Sequence, residues 1–463
     1  MKSFQFFSLL LIGFQLHDHC LQGHPVDKES HGGRNSPKYR RPPLKLQESK
    51  AINWHKIVPS NADFAFRFYK EIASNATTKN LLFSPLSISS AFALLSLGAK
   101  SETLNQIHKG LAFNLSKIKE QEIHRGFQEL IHKLKHPNKA EVDMGNALFI
   151  SENYKLEPTF LDDVRNFYES EGFSTNLGNS TQAEDQINGY VRSKTHGKIT
   201  HLVENLSSNT LMVLVNYIFF KAFWKDPFYP DSIKEEDFFV DTNTTVKVKL
   251  MYERGYYNVL HDEDLSCWVV ELPFKGDAVA WFILPDKGKL KHVEGALAKE
   301  AVSIWPTYFT KKIIRLSIPK FTISATCDMK YIFQRLGVTD VFSGNADLSG
   351  ITSQHSLKVS KAIHRAVFDL NENYTVVEGA AGPPGPLIPY VSYGELSSPP
   401  PPPLPPPPTL PPPPPIIRFN KPFLLFIVEK KTNSILLMGK IVNPTEKLIF
   451  GEESKTSNYN LSG

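Results

Sequence analysis

Cysteine is scarce in this chain. Its 463 residues hold three, Cys20, Cys267 and Cys327, which excludes a disulfide framework as the source of stability and leaves a packed hydrophobic core. Cys267 lies in the strand-like run CWVVELPF and reads as a buried free thiol; the spacing leaves its pairing with Cys327 open. Charge of one sign is also lacking. Lysine and arginine total 52 against 47 acidic residues, a formal net charge of +5, which gives no reason to expect a nucleic-acid partner. Beyond the first residues no apolar run reaches the length that spans a bilayer. Catalytic signatures are missing: there is no GxSxG elbow, HExxH, Walker loop or CxxC pair. His132 and His136 lie four apart on a helical spacing, but Lys133, Lys135 and Lys139 surround them and no acidic residue or cysteine in that run completes a site. The expectation is a protein that is no enzyme and uses no metal or cofactor.

What is present begins with a leader. Lys2 precedes an apolar run from Phe4 to Leu16, and Gly23 offers a small residue for cleavage, so residues 1–23 read as a secretory signal peptide. Residues 24–50 are polar, basic and proline-containing and are expected to form a mobile arm, with Lys38, Arg40, Arg41 and Lys45 in it. Seven Asn-x-Ser/Thr sequons, at Asn75, Asn114, Asn179, Asn205, Asn243, Asn373 and Asn460, fit export and glycosylation.

Composition does not break again before residue 373, so residues 51–446 read as one large domain and 447–463 as a flexible tail. Phe64, Phe68 and Ile72 recur every four residues, predicting a helix from Asn61. Ser84-Pro85 opens a second helix, apolar nearly all round and hence buried, which Gly98 ends. Gln186–Leu206 has helical spacing as far as Gly197. TLMVLVNYIFF is a continuous apolar strand of the kind covered on both faces. Lys275-Gly276-Asp277 marks a hairpin between two further strands, and Ile313–Met329 alternates before the short helix MKYIFQRLGV. Strands and helices mix without βαβ regularity, which predicts an α+β fold.

Four blocks carry a resemblance. FSPLSISSAFALLSLGA, LVNYIFFKAFWKDPF (Leu214–Phe228), KVSKAIHRAVFDLNE (Lys358–Glu372) and FNKPFLLFIVEKKTNSILLMGKIVNP (Phe419–Pro444) resemble, in order, the conserved blocks of the secreted, antitrypsin-like serpins. The resemblance covers about residues 55 to 446. It implies a large mixed central sheet, smaller sheets, surrounding helices and an exposed reactive loop at 373–418. It also implies the function: a bait for an extracellular serine protease, whose cleavage lets the loop enter the central sheet and trap the acyl-enzyme. By the same resemblance Ser84, Ser87, Asn216 and His364 form the polar cluster where the sheet opens, and Trp224 stands at the top of the sheet. The chain is expected to be a monomer.

The loop departs from that pattern. A stem that enters a sheet needs small residues and a backbone N–H at each step. After Glu372, the hinge here is Tyr374, Thr375, Val376, Val377, Glu378, Gly379, Ala380 and Ala381. Tyr374 stands where the family has glycine, and the valines and Glu378 occupy the middle of the stem. A glycan on the Asn373 sequon would be unable to enter a packed sheet, and Pro383, Pro384 and Pro386 stop strand pairing. From Glu372 to Phe419 the chain takes 47 steps, a long tether for a mechanism that needs a short one. Leu387, Tyr390 and Tyr393 are the candidate bait residues, since each precedes a residue other than proline. Pro399–Pro415 is expected to form a polyproline II rod on the order of 50 Å long, suited to a stiff spacer. These departures support an alternative: a non-inhibitory serpin that carries a small hydrophobic ligand or binds through its loop. A heparin-like glycan is a further candidate partner. Lys117, Lys119, His124, Arg125, His132, Lys133, Lys135, His136 and Lys139 form one basic group, interrupted by Glu120, Glu122 and Glu129, and Lys311, Lys312 and Arg315 a second.

Overall fold

The computed structural model describes residues 53–135, 140–370, 372 and 413–446. The expected leader, basic arm, hinge from Tyr374 to Ala381, bait residues Leu387, Tyr390 and Tyr393, sequons Asn373 and Asn460, and tail therefore lie outside the described residues. In chain order the elements are α1 (Trp54–Asn75), β1 (Leu81–Phe83), α2 (Pro85–Ser96), α3 (Ser101–Gly110), α4 (Glu120–Lys135), β2 (Ala140–Ser151), α5 (Pro158–Tyr168), β3 (Glu171–Thr175), α6 (Ser180–Lys194) and β4 (Met212–Ala222). There follow β5 (Ile233–Phe239), β6 (Thr245–Asp262), β7 (Cys267–Pro273), β8 (Ala278–Pro285), α7 (Leu290–Ala296), α8 (Glu300–Tyr308), β9 (Thr310–Pro319), β10 (Phe321–Asp328) and α9 (Met329–Arg335). The last elements are β11 (Lys361–Leu370), β12 (Ile416–Arg418), β13 (Phe423–Glu429) and β14 (Ser434–Ile441).

Two sheets organise these elements. One is five-stranded in the order β10-β11-β4-β2-β3; the other runs β1-β14-β13-β8-β7-β6-β9-β12, with β5 also paired to β6. The long strand β6 joins the two halves of that second sheet. Its first residues pair with β5, its middle with β9 and its last residues with β7. The mixture is the α+β arrangement that the sequence predicts.

Alternation along β4 explains why its sequence is apolar throughout. Met212, Leu214, Ile218 and Phe220 enter the main core. Val213, Val215, Tyr217 and Phe219 enter a second core, closed by Ala183, Ile187 and Val191 of α6. Both faces of the strand are covered, so neither tolerates charge.

Helix boundaries differ from the sequence expectation in informative ways. Helix α1 begins at Trp54, well before Asn61, and carries Pro59 inside it. Its N-terminus is capped from another element: the Glu129 carboxylate of α4 accepts from the Asn53 and Trp54 backbone N–H groups at 2.7 and 3.1 Å. A cap of that origin has no local sequence signal. Helix α2 behaves as its sequence predicts. Pro85 occupies its first turn, the Ser84 hydroxyl accepts from the Ser87 N–H at 3.2 Å, and all twelve residues are buried. It ends at Ser96, two residues before Gly98. Helix α6 runs from Ser180 to Lys194, capped by Asn179, and stops short of Gly197, whose φ of +78° suits glycine.

Candidate functional site

The site lies where β4 and β11 meet under helix α2. These strands pair directly and in parallel, in register from Lys361 opposite Val213 to Phe368 opposite Phe220. Asn216 stands opposite His364 on one side and opposite Asn146 of β2 on the other. A polar row thus crosses the middle of an otherwise apolar sheet.

Every member of the row has a partner. His364 Nδ1 donates to Asn216 Oδ1 at 2.5 Å, and His364 Nε2 accepts from the Ser84 backbone N–H at 3.1 Å. That pair of bonds fixes a neutral imidazole with its proton on Nδ1. Burial pushes the His364 pKa down to about 3, so the ring is uncharged at any physiological pH. The Asn216 amide nitrogen lies 2.6 Å from Ser87 Oγ, 2.6 Å from Asn146 Oδ1 and 3.0 Å from the Ser87 carbonyl. Asn146 in turn donates to Ser90 Oγ at 3.1 Å, and Ser90 donates to the Ser87 carbonyl at 2.8 Å. Ser84, Ser87, Ser90, Asn216 and His364 are all completely buried. A satisfied neutral network of this kind holds one geometry without the cost of a buried charge.

The structure brings together the four residues expected to cluster and adds two that sequence reasoning missed. Asn146 had a signal: Val142, Met144, Leu148 and Ile150 alternate with it toward the main core, so an asparagine stands where the pattern demands an apolar side chain. Ser90 had one too, three residues beyond Ser87 on the same helix.

Trp224 is held apart from that row, just beyond the end of β4. Its ring is buried and stacks on Phe274 at 4.4 Å and 14°, with Phe228 edge-on at 6.1 Å and a bridge to the Phe274 backbone. Glu372 follows the end of β11. Lys320, between β9 and β10, reaches its two oxygens at 2.6 and 2.9 Å. Burial works against the Glu372 carboxylate and the Lys320 bond works for it, with a pKa below the ordinary value as the result. At the other end of the loop the Pro415 carbonyl accepts from the Arg315 N–H at 2.9 Å, and β12 lies parallel along β9. The described chain therefore leaves the five-stranded sheet at β11 and resumes beside β9 on the second sheet.

The remaining candidates separate. Asn114, Asn179, Asn205 and Asn243 are exposed, and Asn75 is the last residue of α1. Cys267 and Cys327 are both free and buried, and burial pushes each thiol up to about 12, which makes them inert. Within the first basic group His124 turns inward, with Nδ1 2.6 Å from the Tyr168 hydroxyl, so it is not part of a cationic face. Lys133 lies over the Trp54 ring and His132 lies 3.7 Å from Glu169. Lys311, Lys312 and Arg315 are exposed on β9. His136 and Lys139 lie outside the described residues. Among the described residues no group of three His, Cys, Asp or Glu side chains is placed to hold a metal.

The family profile described as Serpin (serine protease inhibitor) matches residues 59–444. The chain belongs to the serpin family. It is 43% identical over 394 residues to alpha-1-antiproteinase 2 of Equus caballus, covering 85% of this chain and 88% of that one. It is also 43% identical over 398 residues to kallistatin of Pongo abelii, with 85% and 88% covered. Among solved structures it resembles human thyroxine-binding globulin complexed with thyroxine, with TM-score 0.75, 38% identity and coverage of 85% and 100%. Human glycosylated kallistatin matches with TM-score 0.74, 42% identity and coverage of 85% and 99%.

Proposed function

We propose that this serpin is an exported, glycosylated inhibitor of an extracellular serine protease and acts through the loop at 373–418. The observation that carries the reading is the parallel β4–β11 pair over the neutral polar row. A segment that turns back from the end of β11 runs antiparallel to β11, and therefore antiparallel to β4 as well. Its entry replaces one parallel ladder with two antiparallel ones, which gains backbone hydrogen bonds and favours the more stable pairing. The polar row provides contacts that release as neutral groups, with no charge to desolvate. In this reading the protein is a substrate that changes state and has no turnover of its own; Leu387, Tyr390 and Tyr393 supply the bait.

The stem sequence carries a second reading. Tyr374, Val376, Val377 and Glu378, the sequon at Asn373 and the prolines from Pro383 oppose entry into a sheet. They favour a serpin that binds a small apolar ligand or a partner, and the fold's likeness to a thyroxine-bound globulin supports that class. One experiment separates the two. The glycosylated mature protein is mixed with chymotrypsin, elastase and trypsin and run on denaturing gels. A stable band containing both proteins supports inhibition. Clean cleavage with no such band and no rise in the melting temperature of the cleaved product refutes it and leaves the binding reading.

A further inference from the structure

A second feature lies beside the loop stem. Lys247 and Lys249 of β6, Lys320 and Phe321 at the start of β10, and Pro444 and Thr445 line a cleft of about 330 Å³. Three lysines and no carboxylate face it. Two of them are engaged from outside its walls, Lys247 by Asp237 at 2.8 Å and Lys320 by Glu372 at 2.6 Å, and Glu235 stands across the strand pair from Lys249. The cleft thus keeps a cationic lining; Phe321 is buried at 5% exposure, which leaves half-buried Pro444 as its accessible apolar contact.

The segment that leaves this cleft has the complementary chemistry. The described chain leaves at Glu446, which is tied down where it departs: its carbonyl accepts from Asn80 Nδ2 at 3.2 Å and its N–H donates to the Asn443 carbonyl at 3.2 Å. Residues 447–463 follow, and they open with Leu448, Ile449 and Phe450, a glycine, and the adjacent pair Glu452 and Glu453. From Thr445 to Glu452 an extended chain reaches up to about 24 Å, ample to fold back over walls that Thr445 itself forms. Tethering places these carboxylates at an effective concentration in the millimolar range, which favours the same chain over a second copy.

We propose that residues 447–453 dock in this cleft, with the apolar triplet against Pro444 and Glu452 or Glu453 on Lys249 and Lys320. A carboxylate from the tail on Lys320 competes with Glu372, so the C-terminal segment modulates how firmly the loop stem is anchored at the end of β11. The proposal stands independently of whether the loop traps a protease.

Zero-length carbodiimide cross-linking tests it on three forms: the full mature chain, a chain ending at Glu446, and the full chain with E452Q and E453Q. The truncation removes only residues that follow Glu446, and the double variant removes charge alone. The expected result is a cross-link from Glu452 or Glu453 to Lys249 or Lys320 that survives dilution. Acylation of Lys249 should also run about two- to fivefold faster in both altered forms, the factor that an exposed ion pair supplies, whereas Lys320 keeps Glu372 as its partner. Equal lysine reactivity in all three forms without such a cross-link overturns the proposal. A cross-link that disappears on dilution overturns it in favour of a second copy. Protection by a sulfated oligosaccharide that is equal with and without the tail, again with no cross-link, overturns it in favour of an external polyanion.

Discussion

Asn216→Ala is the most direct test of the polar row. The substitution removes the acceptor of the His364 Nδ1 proton and the donor to Asn146 Oδ1, contacts of 2.5 and 2.6 Å in a fully buried setting. His364 is fully buried and Asn146 only 3% exposed. Each stranded buried group costs about 1–3 kcal/mol, so the loss for the two should be about 2–6 kcal/mol. With a denaturant slope of about 4 kcal/mol/M for a chain of this size, the urea midpoint should fall by roughly 1 M. Ser89→Ala is the control. Ser89 is equally buried on the same helix as Ser87, but its hydroxyl bonds only to the Leu86 carbonyl one turn back, so its loss should cost less than about 1 kcal/mol. Unfolding is followed by far-ultraviolet circular dichroism and tryptophan fluorescence in urea. If Asn216→Ala is no more costly than Ser89→Ala, the row does not hold β4 to β11 and the account of the site is wrong.

Three further outcomes follow from the same structure. His108 and His364 have pKa values lowered by burial to about 4 and about 3; both stay neutral in the folded state while the unfolded chain takes up protons below pH 6.5. Each contribution is fully present above pH 6.5 and is lost as pH falls, at up to about 1.4 kcal/mol per pH unit. His108, whose ring nitrogens have no partner among the described residues, is the one to replace: His108→Leu should shrink the stability difference between pH 7 and pH 5 by about 2 kcal/mol in urea titrations. Trp224→Ala, which removes a buried ring stacked on Phe274, should lower stability by about 3–5 kcal/mol by the same titration. Cys267 and Cys327 should be unreactive to a chromogenic disulfide reagent in the native protein and both titrate in denaturant, because each is buried with its thiol pKa near 12.

Much of the fold is legible in the sequence because local chemistry dictates it. The run Met212–Ala222 is apolar because both of its faces are covered, Lys275-Gly276-Asp277 turns between β7 and β8, and Ser84-Pro85 starts α2. What is not legible depends on distant partners. The early start of α1 rests on Glu129, a residue 75 positions from Trp54. The β4–β11 pair joins residues 148 apart at Asn216 and His364, and pairing over that distance leaves no periodicity to read. The cluster residues Ser84, Ser87, Asn216 and His364 come from the family resemblance, whereas Asn146 was readable as a break in alternation along β2. The two buried cysteines, open in the sequence, prove free, Cys267 on β7 of one sheet and Cys327 on β10 of the other.

The polar row has a consequence for the width of the central sheet. Adjacent strands sit about 4.8 Å apart, so admitting one more strand between β4 and β11 moves His364 from Asn216 by a whole strand spacing. No intermediate width keeps a hydrogen bond of ordinary length. A slightly pried sheet strands the imidazole N–H with neither its old partner nor a new one. On the proposed loop-entry reading, the row therefore resists partial separation: its bonds break before any new ladder forms, which sets a barrier between the two widths.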